Sequence, residues 1–232
     1  MEMNQNQIME LLDTLYEGIP KVSQPIDVLA NDYLSKNDSR EKAAKQFVNY
    51  QVAKCTTSGF VTGLGGLITL PVAIPVNVSS VMYVQMRMIA CLAYMGGYDT
   101  NSDQVQTLVY ACLAGISIDQ IIKQAGIKFG TKFTTAMVKK IPGTVLTKIN
   151  QKVGFRFLTK FGENGIINIA KLVPVVGGVI GGGFDLVETK VIANRAYKMF
   201  IKGDFSSLDD KNDDEFVSEE INIIETLDKS AN

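Results

Sequence analysis

Residues 55–86 read CTTSGFVTGLGGLITLPVAIPVNVSSVMYVQM, from Cys55 to Met86, and carry no charged side chain. The run is longer than the roughly 20 apolar residues that a membrane-spanning helix needs. It is also broken by Gly59, Gly63, Gly65, Gly66, Pro71 and Pro75. Each proline inside a helix removes a donor and clashes with an earlier carbonyl, at about 3 kcal/mol or more. A single straight span is therefore not the expected reading. The stretch reads as a helix end, a glycine-rich turn, an apolar segment, a break at Pro71–Pro75, and then a new helix from Asn77 to Met95. Gly96-Gly97 closes that helix.

The same grammar recurs at 172–184. Val173-Pro174-Val175-Val176-Gly177-Gly178-Val179-Ile180-Gly181-Gly182-Gly183 leads into a helix from Phe184 to Ile201. The two blocks form a loose pseudo-repeat in which Gly/Pro-rich apolar chain delivers a long helix. On the N-terminal side, Ile8, Leu11, Leu12 and Leu15 lie at helical spacing up to Gly18-Ile19-Pro20. Pro25 opens a second helix through about Ser35, and Ser39 caps a third that runs towards Ser58. Further on, Asp103 is the expected cap for a helix through Ala114, and Ser117–Gln124 adds a short one. The alternating stretches are too short to be strands, so the fold class predicted is all-α. Residues 1–203 read as one helical domain, with amphipathic N-terminal helices over 1–54 and a glycine-rich core over 55–203. Residues 204–232 form an acidic tail with a short helix about Phe216, Val217, Ile221, Ile224 and Leu227.

Charge is balanced overall, 23 basic against 24 acidic groups, but unevenly placed. Residues 121–161 carry nine basic groups and no acid: Lys123, Lys128, Lys132, Lys139, Lys140, Lys148, Lys152, Arg156 and Lys160. Beyond Pro142-Gly143 the last four recur every fourth residue, a spacing that drifts by about 40° per step and draws one basic stripe on a helix. Phe129, Phe133, Ile149, Phe155 and Phe157 accompany these lysines, a combination suited to the surface of an anionic bilayer. The tail from Gly203 onward holds ten acids and two lysines and could cover that surface in competition with lipid.

The chain contains no histidine. That removes Ser-His-Asp and Cys-His catalysis and histidine-ligated metals. Cys55, Cys91 and Cys112 are too scattered for a disulfide framework. The glycine blocks lack the G-x4-G-K-[ST] spacing that wraps phosphate, and the acidic run lacks the glycine and the glutamate of an EF-hand. No cofactor, metal, nucleotide or nucleic acid is expected. Within Val78–Met95 the single charge is Arg87, which in an apolar core needs a partner. Asp185 is the expected acid and Asp99 the second candidate, with Gln85 and Asn77 completing a buried polar set.

Gly59-Phe60-Val61-Thr62-Gly63-Leu64-Gly65-Gly66-Leu67-Ile68-Thr69-Leu70-Pro71 resembles the signature of the EcsC family of bacterial proteins. So do Gln85-Met86-Arg87-Met88-Ile89-Ala90, Gly97-Tyr98-Asp99 and Pro174-Val175-Val176-Gly177-Gly178 with Asp185, so that the resemblance covers about residues 25–202. The family is named for a protein encoded beside an ABC exporter and has no accepted catalytic residues. The resemblance implies a cytoplasmic setting, peripheral to the inner face of the cytoplasmic membrane, and a membrane complex such as a transporter as partner class. The leading expectation is a non-enzymatic protein that binds anionic lipid through Lys128, Lys132, Lys139, Lys140, Lys148, Lys152, Arg156 and Lys160. Two alternatives stand beside it: a lipid- or peptide-directed hydrolase built on Asp185, Asp99 and Arg87, and a pore-forming protein whose hairpins insert. Oligomeric state is left open.

Overall fold

A computed structural model describes residues 4–18, 23–56, 76–124, 126, 133–161 and 182–205, without the side chains of 55–56, 76–80, 120, 160–161 and 182–185. The glycine-rich segments 57–75 and 162–181, Lys128, Lys132 and the acidic tail from 206 onward lie outside these residues, as do the side chains of Asn77, Lys160 and Asp185. The expected hairpins, the pseudo-repeat and the tail helix fall there too.

Every described side chain from Val81 to Ala93 is buried, the pattern of a helix surrounded on all sides by protein. That helix, Val76–Met95, is α4 in chain order and forms the axis of the fold. Before it come α1 (Gln5–Glu17), α2 (Ile26–Ser35) and α3 (Arg40–Thr56). After it come α5 (Asp103–Ala114), α6 (Asp119–Gln124), α7 (Thr135–Val138), α8 (Gly143–Phe161) and α9 (Gly182–Ala196). No strand occurs among the described residues, and the protein is all-α. Helices α1, α2, α3, α5 and α9 all pack on α4, while α8 lies outside α1 and α5. One hydrophobic cluster runs from Ile8 to Phe205.

Local chemistry sets the helix ends. Asn4 and Gln7 form a reciprocal capping box, with Gln7 N donating to Asn4 Oδ1 at 3.0 Å and Asn4 N to Gln7 Oε1 at 2.9 Å. Ser39 Oγ accepts from Lys42 N at 3.2 Å at the start of α3. Helix α4 ends in paired bonds, Tyr98 N to Ala93 O and Gly97 N to Tyr94 O, made possible by φ +84° at Gly97. At α5 the cap is Ser102, whose Oγ accepts from Val105 N, and Asp103 sits one residue inside, where its charge favours the helix N-terminus.

The last long helix departs from the sequence expectation. Regular α-geometry stops at Ala196 and a π-turn covers Tyr197–Ile201, with Lys202 N donating to Tyr197 O. The wider turn keeps Met199, Phe200 and Ile201 all buried. It also brings the Phe200 carbonyl so close to Gly96 that a Cβ there would stand 2.2 Å from it.

Candidate functional site

Three polar features lie on this frame. The first follows α4. Gln85 is buried and donates from Nε2 to Thr189 Oγ1 of α9 at 3.0 Å. Arg87, two residues on, is also buried, and its guanidinium donates to the backbone carbonyl of Gln24 just before α2. One guanidinium nitrogen also lies 3.0 Å from where a Gly18 Cβ would stand. Arg87 thus fastens the connection between α1 and α2 onto the central helix. Burial pushes the Cys91 thiol up to about 12, with the Arg87 charge pulling the other way. Cys91 is therefore a protonated core thiol at neutral pH.

Among the described side chains no carboxylate forms an ion pair with Arg87. Asp99, the second candidate, is exposed and accepts from Asn101 N at 3.1 Å. Asp185 lies on α9 and its side chain is outside the described residues. The register of the two helices is nonetheless clear. Gln85 meets Thr189 and, eleven residues on along each segment, Gly96 meets Phe200, so α4 and α9 run in parallel. Asp185 then stands level with Val81, about 9 Å along the axis from Arg87 at 1.5 Å per residue.

A second buried guanidinium has no counterpart in the sequence reading. Arg195, near the end of α9, donates from Nη1 to Cys112 O at 2.8 Å, placing a cation against the C-terminus of α5. Gly115 follows in left-handed geometry at φ +70°, with the Arg195 guanidinium 3.1 Å from its Cβ position. No charge pattern announces this contact, because a backbone carbonyl accepts it and any residue type can supply one.

The second feature is the outer face of α8. Lys148, Lys152, Phe155 and Arg156 are exposed along one side, together with Thr144, Gln151 and Thr159. At 100° per residue Phe155 falls within about 20° of Lys148, inside the basic stripe. It is 67% exposed, the largest exposure among the described large apolar side chains. Lys139 and Lys140, just before α8, are exposed as well. The expectation that Phe133, Ile149 and Phe157 share this surface is corrected: all three are buried. Ile149 and Phe157 lie 100° to 180° round the helix from Lys148, on the side that meets α1 and α5.

The third feature is an open groove of about 340 Å³ between α3 and α9. Lys45, Val48, Asn49 and Val52 line one wall, and Lys190, Ala193, Asn194 and Tyr197 line the other. Both walls follow one pattern, Lys-x2-apolar-Asn-x2-apolar, over 45–52 and 190–197. The repeat is legible in the sequence once the two helices are known to face each other. The polar set at Arg87, Gln85 and Asp99 does not open into this groove.

The family comparison fits this architecture. The EcsC protein family model matches residues 37–202, from the turn before α3 to the residue after the π-turn. This chain belongs to the EcsC family. The match begins at Asn37 rather than near Pro25, so α1 and α2 lie outside it, while α4, the basic helix α8 and both walls of the groove lie inside. For this EcsC-family chain no curated protein and no solved structure gives a match.

Proposed function

We propose that this EcsC-family protein is a non-enzymatic, peripheral membrane protein whose α8 face binds anionic lipid headgroups. The observation that supports it is Phe155, 67% exposed in a row with Lys148, Lys152 and Arg156. Leaving a phenylalanine in water is unfavourable, and among lysines it suits a boundary that is charged outside and apolar a few ångströms deeper. Each basic residue near an anionic surface contributes about 1 kcal/mol, so Lys139, Lys140, Lys148, Lys152 and Arg156 together give substantial, salt-sensitive attraction. No described helix is long and apolar enough to cross a membrane. The inner face of the cytoplasmic membrane is the proposed location, and a transporter-type complex the proposed partner class. The hydrolase alternative asks for carboxylates converging with Arg87 on a cavity. Arg87 instead donates to the Gln24 carbonyl, and Asp99 is exposed.

Co-sedimentation with neutral and anionic liposomes at low and high salt tests the reading. Binding confined to anionic vesicles, reversed by salt and reduced at least tenfold in Lys148→Glu/Lys152→Glu, is the expected result. Phe155→Ser lowers affinity while leaving the salt dependence intact. Equal binding of the wild type and the charge-reversed variant would sink the proposal, and salt-resistant binding would point to insertion of the glycine-rich segments instead.

A further inference from the structure

The basic helix α8 packs on α1, α5 and α6, whereas the groove is walled by α3 and α9, so the lipid contact proposed above leaves it unused. Its two helices are antiparallel: Glu41 Oε1 at the start of α3 lies 4.0 Å from Lys202 Nζ beyond the end of α9, and Arg40 donates to Gly96 O beside Phe200. The matched patterns therefore run head to tail. Lys45 stands at the end marked by Tyr197, Lys190 at the end marked by Val52, and Asn49 and Asn194 between them. The groove is cationic at both ends and amide-lined in the middle, with an apolar floor.

We propose that this groove is the docking site of the chain's own acidic segment, residues 213–228. The segment matches the groove in charge and pattern. Asp213, Asp214 and Glu215 precede Val217, Ile221 and Ile224, which recur at spacings of four and three, with Glu219, Glu220, Glu225 and Asp228 among them. Laid along the groove, the apolar row covers Val48, Val52 and Ala193, and the flanking acids meet Lys45 and Lys190. The tether is long enough. Phe205 packs 6.2 Å from Phe200 between ring centroids, within two turns of Tyr197. The eight residues from Phe205 to Asp213 reach at most about 27 Å when extended. A second copy or a foreign acidic peptide lacks this covalent advantage, which supplies an effective concentration on the order of 1 mM. The family match ends at Lys202, so the segment lies outside the matched core, while both walls of the groove lie inside it.

Hydrogen exchange on the full-length protein tests this independently of any lipid. Amides within 216–227 should exchange roughly tenfold more slowly than in Lys45→Glu/Lys190→Glu, the factor expected when an effective concentration of about 1 mM meets a site of about 0.1 mM affinity. Asp213→Lys/Asp214→Lys/Glu215→Lys/Glu225→Lys/Asp228→Lys, added to that variant, should restore the protection by reversing the charges of both groove and segment at each end. Unchanged exchange in α4 over 82–95 shows that the variants are folded. The proposal is overturned if 216–227 exchanges at unprotected rates in the wild type. It is equally overturned if protection survives Lys45→Glu/Lys190→Glu, or is lost instead in Lys148→Glu/Lys152→Glu, which would place the tail on α8.

Discussion

Gly18 has φ +88° and ψ 177°, a combination that is essentially closed to side-chain-bearing residues. A Cβ there would also stand 2.9 Å from Ser23 and 3.0 Å from the Arg87 guanidinium. Gly18→Ala should therefore cost about 1–3 kcal/mol, measured by urea unfolding. Arg87→Met should cost a similar amount, about 1–3 kcal/mol, because it leaves the Gln24 carbonyl without its donor. Both substitutions loosen one joint, so the double variant should lose clearly less than the sum. Full additivity would mean that Arg87 does not act through the α1–α2 connection. Sequence reasoning recognised that Arg87 needed a partner, since a guanidinium in an uncharged helix is conspicuous. The acid expected for it, Asp185, has its side chain outside the described residues, and the Gln24 carbonyl that Arg87 does meet has no signature in a sequence. The same blind spot hid Arg195 on Cys112 O.

Helix boundaries were legible to within a few residues because their signals are local: a proline at Pro25, a serine at Ser39, and glycines at Gly18 and Gly97. The π-turn after Ala196 was not, since it answers to a tertiary contact between the Phe200 carbonyl and Gly96. Two glycines that look alike in sequence consequently predict opposite outcomes. At Gly96 a Cβ meets backbone at 2.2 Å, so Gly96→Ala must force the π-turn away from α4 and should cost about 1–3 kcal/mol or more. At Gly154 the obstruction is the Gln5 side chain, 2.5 Å away at Cγ, which can turn aside. Gly154→Ala there gives up the bond from Gln5 Nε2 to Gln151 O but gains up to about 1 kcal/mol of helix propensity, so it should be near neutral. Thermal unfolding of the two variants separates them, and equal shifts would contradict the packing described for Gly96. Helix α8 shows the same division. Its basic stripe was visible from a four-residue period, whereas which aromatic faced outward depended on where α1 and α5 pack.

At the scale of the whole molecule, the absence of histidine leaves no side chain with an ordinary pKa between about 5 and 8. Stability should accordingly be nearly level across neutral pH. The alkaline side differs. Burial raises the Cys91 and Cys112 thiols from 9.0 to about 12, and raises the Tyr98 phenol from 10.0 to about 12. Tyr16 and Tyr110 are raised further by burial, with Asp13 adding to the shift at Tyr110. In each case the folded state holds the proton longer than the unfolded chain. The stabilisation is complete below pH 9 and is lost as pH rises towards 12, at up to about 1.4 kcal/mol per pH unit for each group ionised only in the unfolded chain. Urea unfolding from pH 6.5 to 11 should give a plateau followed by a steep fall beginning near pH 9. Cys91→Ala/Cys112→Ala lowers the plateau through the cavities it leaves. It should also make the fall between pH 9 and 10 visibly shallower, because the tyrosines ionise later in the unfolded chain. A slope in that interval indistinguishable from the wild type would mean that the two thiols are not sealed in the core around α4 and α5.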